Sequence, residues 1–195
     1  MEKKDGIETY YAKNRKEWRT WLSKNHAKEK NVWLEIYKKE SNVPTVQYED
    51  AVDEALCFGW IDSRPNKKDK QSYYLLFSKR SSKSNWSKAN RERAERLIKQ
   101  GLMAKAGLEL IALAKQNGTW TALNDVQNSV IPDDLQKALN KNKKASGYFA
   151  AFPPSSKRII LEWILNAKKP ETRQKRIDET VTLAENNIKA NHYRQ

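Results

Sequence analysis

The stretch that most constrains the fold is residues 48–62, which read Tyr-Glu-Asp-Ala-Val-Asp-Glu-Ala-Leu-Cys-Phe-Gly-Trp-Ile-Asp. Apolar residues recur there every three or four positions, which is typical of an amphipathic helix that buries one side. Gly59 suits the left-handed backbone that commonly ends a helix, and a strand is predicted to start at Trp60. The stretch therefore predicts a helix that turns at once into a strand, with the carboxylate of Asp62 just beyond the junction.

A helix and a strand are predicted before that junction. Asn14 is followed three residues later by Glu17, which is the spacing of an N-terminal capping box, and His26 is predicted to end this helix. Residues 31–39 alternate with a period of two and carry large apolar side chains on both faces. This pattern predicts a strand that lies well inside a sheet or under a helix.

A hairpin is predicted after the junction. Its strands are residues 60–64 and 73–79, and the loop between them, residues 65–70, is polar and basic. The predicted register places Asp62 opposite Tyr73. A shift by one residue would exchange the side chains on the two faces of the sheet.

From residue 84 onward the periodicity is helical. The predicted fold class is α+β, with a small N-terminal α/β sheet region, residues 1–83, packed against an all-helical C-terminal half, residues 84–195. The chain shows no internal repeat and no long low-complexity linker. Helices are predicted at Ser87–Gly101, Leu102–Asn117, from Pro132, and at Lys144–Phe152, Pro154–Ala167 and Pro170–Lys189.

The positive charge of the chain is concentrated in one segment. The net charge is +14, and residues 64–99 alone hold 12 Lys/Arg against 3 Asp/Glu, which gives +9. Such a segment attracts phosphate, nucleic acid or an acidic protein face. The alternative is a solvated basic surface with no specific partner.

The cysteine and histidine content excludes several classes of site. Cys57 is the single cysteine, so no intrachain disulfide can form, and with two histidines a zinc site is not expected. No signal peptide and no apolar run long enough to cross a bilayer is seen. These features predict a cytoplasmic protein with no membrane insertion, no metal and no cofactor. They leave the oligomeric state open.

The block at residues 48–62 resembles the signature of the bacterial YdeI/OmpD-associated family, also labelled bacteriocin-protection proteins. Lys79 stands where the family tends to have proline. The resemblance therefore does not fix the residue at which the strand predicted at 73–79 ends. The resemblance implies an uncharacterised stress- or bacteriocin-protection-type protein with no agreed catalytic residues, and it favours a non-enzymatic role. It covers nearly the whole chain, continuing at Phe77–Arg80, Ser84–Asn90, Arg93–Ile98, Gly101–Met103, Ile131–Leu135, Ala167–Lys168 and Glu171–Ile177.

Asp62 is the first candidate for a functional side chain. As a function, it would act as a general base or accept a hydrogen bond from a ligand. As a structural element, it would bond to backbone amides or to an arginine such as Arg80. The structural interpretation is favoured, because no histidine, cysteine or metal cluster stands near it in the sequence.

A second group of candidates lies where the hairpin passes into the helical half. A helix N-terminus beside an arginine is a site for anions, and a tryptophan there can stack on a ring. The structural interpretation, in which Ser87 is a plain N-cap and Trp86 belongs to the core, is favoured here as well. The predicted ligand-binding residues are Trp60, Asp62, Arg80, Trp86, Ser87 and Asn90.

A third basic group straddles Pro170. Its members are expected either to hold phosphate or to pair with acidic residues such as Glu162 and Asp178. The group comprises Lys168, Lys169, Arg173 and Arg176.

Three functions are consistent with these patterns. The leading one is a non-enzymatic protein that binds a small anionic ligand or a protein partner between the hairpin and the helical half. The alternative is nucleic-acid binding by residues 64–99, with Tyr73 or Tyr74 as stacking surfaces, although no recognised nucleic-acid motif is present. The third is an undescribed enzyme that uses Asp62 as its base.

Overall fold

A computed structural model of the chain describes residues 2–192 and divides it into two compact units. The N-terminal unit runs through Thr121 and the C-terminal unit starts at Ala122. Each unit has its own hydrophobic core. The α+β class, with a sheet near the N-terminus and a helical C-terminal half, is confirmed. The division between the units falls after Thr121, so the first helices that follow residue 84 belong to the N-terminal unit.

The N-terminal unit is built on a five-stranded sheet in the order β1-β2-β3-β5-β4. The β2–β3 pair is parallel and the other pairs are antiparallel. The central strand β3 is almost wholly buried, as its apolar residues on both faces predicted, whereas β1 and β2 were not predicted. The strands are β1 (Lys3–Lys4), β2 (Ile7–Tyr11), β3 (Asn31–Tyr37), β4 (Trp60–Lys67) and β5 (Ser72–Lys79).

Four helices complete this unit, and the second of them contacts the other three. Asn14 accepts a hydrogen bond from the Glu17 amide at 3.0 Å, and His26 caps the end of the first helix, as predicted. The core between helices and sheet is rich in rings, including Trp18, Trp60 and Phe77. The helices are α1 (Arg15–Asn25), α2 (Tyr48–Cys57), α3 (Lys88–Lys99) and α4 (Lys105–Gln116), with a 3-10 turn at Lys39–Ser41.

The predicted register of the β4–β5 hairpin is wrong. Asp62 pairs with Phe77, not with Tyr73, and Trp60 pairs with Lys79. The strands are longer than predicted, and a β-bulge after Asp62 shifts the register of the residues that follow. Extra residues of this kind change the pairing without leaving a clear local signal in the sequence.

The turn of the hairpin is also shorter than predicted, since it comprises residues 68–71. The carboxylate of Asp69 accepts hydrogen bonds at 2.7 Å from the amides of Gln71 and Ser72. Aspartate side chains commonly close tight turns in this way. At the other end of β5, the Lys79 amide donates to the carbonyl of Lys30 at 3.1 Å, a bond that proline could not make.

The junction between α2 and β4 depends on close backbone packing. Gly59 has a φ of +76°, the left-handed conformation that its position predicted. Helix α4 crosses the end of α2 at Gly107, where an added methyl group would lie 2.4 Å from the carbonyl oxygen of Cys57. The junction that dominates the sequence is therefore held from both sides, and Cys57 itself is fully buried, as predicted.

The C-terminal unit is helical throughout the part that the structure describes. Arg173 forms an ion pair with Asp134, with contacts of 2.6 and 2.9 Å, and not with the acidic residues expected from sequence. No helix within residues 2–192 is long and apolar enough to cross a bilayer. The helices are α5 (Asn124–Gln127), α6 (Asp133–Asn140), α7 (Lys143–Ala151), α8 (Pro154–Leu165) and α9 (Pro170–Ala184).

Candidate functional site

Asp62 lies under the first turn of α2 and accepts a hydrogen bond at 3.0 Å from the hydroxyl of Tyr48. Burial of the phenol and this hydrogen bond raise the pKa of Tyr48 to about 12. Asp62 forms no ion pair within residues 2–192, so its interpretation as an arginine-bonded carboxylate is wrong. The carboxylate holds the Tyr48 ring in place.

The Tyr48–Asp62 pair makes a prediction for alkaline pH. We expect phenolate absorbance to show a tyrosine that titrates near pH 12, because the folded protein holds the Tyr48 proton beyond the pH at which the unfolded chain loses it. The stability that the neutral phenol contributes is therefore lost as pH rises through about 12. Tyr48→Phe should remove this step, and a titration identical to that of the parent would contradict the assignment.

Arg80 follows the last residue of β5 and is buried, with 6% of its surface exposed. One guanidinium nitrogen, Nη2, donates to the carbonyl of Asn85 at 2.5 Å, and the guanidinium carbon lies 4.1 Å from the centre of the Trp86 ring. The other two nitrogens, Nε and Nη1, are buried without a hydrogen-bond partner among the described residues. No carboxylate in that part of the chain pairs with Arg80.

The burial of Arg80 has a clear electrostatic consequence. Loss of water lowers the pKa of its guanidinium to about 10, so the group is still charged at neutral pH. A shift of this size corresponds to a penalty on the order of 3 kcal/mol on the charged form. Buried charges are normally paired, so a buried arginine with no carboxylate partner within residues 2–192 marks a candidate anion site.

The remaining predicted residues separate into different places. Ser87 caps α3, where its hydroxyl accepts from the Asn90 amide at 3.3 Å, so Asn90 contributes its backbone there. Trp86 is buried, and its ring centre lies 4.9 Å from that of Trp120 in the core. The same ring contacts the guanidinium of Arg80. Trp60 is a core residue that donates to the carbonyl of His26 at 3.3 Å. The structure therefore joins Arg80 to Trp86 and leaves Asp62 with Tyr48.

The sequence did not reveal a network of buried ion pairs around α2. Glu54 is 2% exposed and lies between Arg15 and Arg19, at 2.6 and 2.5 Å. Asp53 is 4% exposed and accepts from Arg93 and Arg96, both at 2.8 Å. The acidic side of α2 thus packs against arginines of α1 and α3, which lie 35 to 43 residues away in the chain.

The same contacts reduce the free charge of the basic segment 64–99. Arg93 and Arg96 are paired with Asp53, and Lys68 pairs with Glu35 at 2.9 Å. Part of the +9 charge is therefore neutralised within the unit. Within the described residues, no group of three His, Cys, Asp or Glu side chains is placed to hold a metal ion.

Two family models match the chain. Residues 10–110 match the family described as "Domain of unknown function (DUF8412)", and residues 128–187 match the family described as "Bacteriocin-protection, YdeI or OmpD-Associated". The resemblance that the sequence suggested is confirmed over the second range, whereas the 48–62 block lies in the first. No curated protein and no solved structure matches the chain significantly.

Proposed function

Since the chain belongs to the family of the domain of unknown function at residues 10–110, and residues 128–187 match the YdeI or OmpD-associated family, we propose that it is a non-catalytic protein that binds a small anion. The anion is bound at Arg80, in the N-terminal unit. The description of the second family supports a role for this protein in protection from bacteriocins or related stress. A reducing compartment such as the cytoplasm suits the single, buried Cys57.

One observation carries the proposal: Arg80 is a buried cation whose Nε and Nη1 donors have no hydrogen-bond partner within residues 2–192. A guanidinium presents its donors in a planar fork that matches the oxygens of a phosphate or carboxylate. The Trp86 ring and the Asn85 carbonyl stabilise the charge, but neither is an anion. A small oxyanion would satisfy Nε and Nη1 and neutralise the charge at the same time.

The segment that follows Arg80 in the chain is suited to such a ligand. Residues 81–86 contain three serines, a lysine and an asparagine, and Ser87 then starts α3, whose first amides add partial positive charge. Nε and Nη1 are buried, so an incoming anion must displace protein atoms to reach them. The site therefore selects small anions over large ones.

Thermal unfolding with inorganic phosphate, sulfate and pyrophosphate tests this proposal. At an anion concentration of 100 times the dissociation constant, a single site raises the free energy of unfolding by roughly 2.7 kcal/mol. We expect the midpoint of the parent to rise with at least one of these anions, and that of Arg80→Met to stay constant.

Lys79→Met is the matched control, because it removes the charge of an exposed neighbour and leaves Arg80 in place. It should respond to the anion as the parent does. Equal shifts in the parent and Arg80→Met would show general anion effects on a basic protein, and no shift in the parent would contradict the proposal.

A further inference from the structure

A concave surface lies near the turn of the β4–β5 hairpin, whereas Arg80 follows the other end of β5. It is an open cleft of about 480 Å³. Tyr73 and Arg80 are seven positions apart along extended chain, so these two residues lie on the order of 20 Å apart. The residues that line the cleft are Lys38, Tyr48, Pro65, Lys67, Ser72 and Tyr73.

The walls of the cleft combine rings with cations. Tyr48 is 42% exposed, and its hydroxyl is fixed by the 3.0 Å hydrogen bond to Asp62. Tyr73 is half-buried against the core, so its ring is also held in place. Two fixed phenol rings on one cleft offer a surface on which a planar ring can stack.

The two cations in the cleft are exposed, and neither has a carboxylate partner within residues 2–192. The ammonium group of Lys38 donates to the backbone carbonyl of Lys70 at 2.8 Å, which draws this side chain toward the hairpin turn. Lys67 ends β4 on the same cleft. Exposed lysines beside aromatic side chains suit a ligand in which a short linker joins an anionic group to a planar ring.

We propose that this cleft is a binding site for a planar aromatic anion of the nucleoside monophosphate class. The planar ring of the ligand stacks on Tyr48 and Tyr73, and Lys38 and Lys67 bind the phosphate. This inference goes beyond the anion site at Arg80 and uses none of its residues. Stacking of the base on the phenol rings and charged hydrogen bonds from the lysines to the phosphate both contribute to the affinity.

Calorimetric titration with adenosine monophosphate tests the cleft, with adenosine and inorganic phosphate as partial ligands. The double variant Lys38→Ala/Lys67→Ala should bind adenosine monophosphate roughly tenfold or more weakly than the parent. Tyr73→Leu should weaken binding of adenosine monophosphate and of adenosine alike. Lys70→Ala, which removes an exposed lysine from the same hairpin, should bind as the parent does.

The outcomes separate this site from the one at Arg80. Arg80→Met should bind adenosine monophosphate with the affinity of the parent, and loss of binding in that variant would overturn the assignment to the cleft. Absence of binding in the parent at millimolar nucleotide would also overturn it. Binding of a single-stranded oligonucleotide without binding of the mononucleotide would likewise overturn the assignment.

Discussion

Glu54→Gln is expected to lower the free energy of unfolding of the N-terminal unit by about 3 kcal/mol. Glu54 is almost fully buried and accepts from Arg15 and Arg19 at 2.6 and 2.5 Å, so the substitution removes the charge that both arginines share. This loss in the free energy of unfolding lies at the low end of the range for breaking a buried ion pair, because both arginines keep about a third of their surface in contact with water.

Urea denaturation followed by tryptophan fluorescence measures this effect, since six of the seven tryptophans lie in the N-terminal unit. Glu49→Gln is the matched control: it makes the same change on the same helix, but Glu49 is 72% exposed in its pair with Arg93. We expect it to cost less than about 1 kcal/mol, as exposed ion pairs do. Equal losses in the two variants would contradict the role assigned to burial.

In buffer free of multivalent anions, Arg80→Met is expected to be about as stable as the parent. The substitution removes a buried charge whose burial costs on the order of 3 kcal/mol. It also removes the hydrogen bond to Asn85 and the contact with the Trp86 ring, which together contribute a similar amount. Removing a buried arginine that is already paired would instead destabilise the unit strongly.

Saturating phosphate should raise the free energy of unfolding of the parent above that of Arg80→Met. The parent gains roughly 2.7 kcal/mol at 100 times the dissociation constant, whereas Arg80→Met gains nothing. Urea denaturation with and without phosphate measures both values. A loss of several kcal/mol in Arg80→Met under both conditions would mean that Arg80 serves the fold and not a ligand.

The elements that the sequence predicted well are those with local causes. The helix α2, its end at Gly59 and the strand from Trp60 follow from apolar spacing and from one glycine. The hairpin register was wrong because it depends on the bulge after Asp62, which is set by how β4 pairs with β5 and not by either strand alone. Strands β1 and β2 are short, and they depend on pairing within the sheet, since β1 pairs with β2 and β2 pairs with β3.

The candidate site was predicted in part, and for a different reason. Arg80 and Trp86 were selected for their place before a helix, and the structure brings them into contact. The sequence could not show that Arg80 would be buried with no carboxylate partner within residues 2–192, because pairing depends on residues far apart in the chain. Asp62 illustrates the same point, since its partner is Tyr48, on the preceding helix, and not the arginine expected from the hairpin.

The central claim concerns the free donors of Arg80, and NMR of its side chain tests it directly. In ¹⁵N-labelled protein the Nε–H signal of Arg80 is identified by its absence from Arg80→Met. On titration with phosphate we expect this signal to shift and to saturate, with a dissociation constant that agrees with the thermal data. A signal that stays in place while phosphate is raised to millimolar concentrations would contradict an anion site at Arg80.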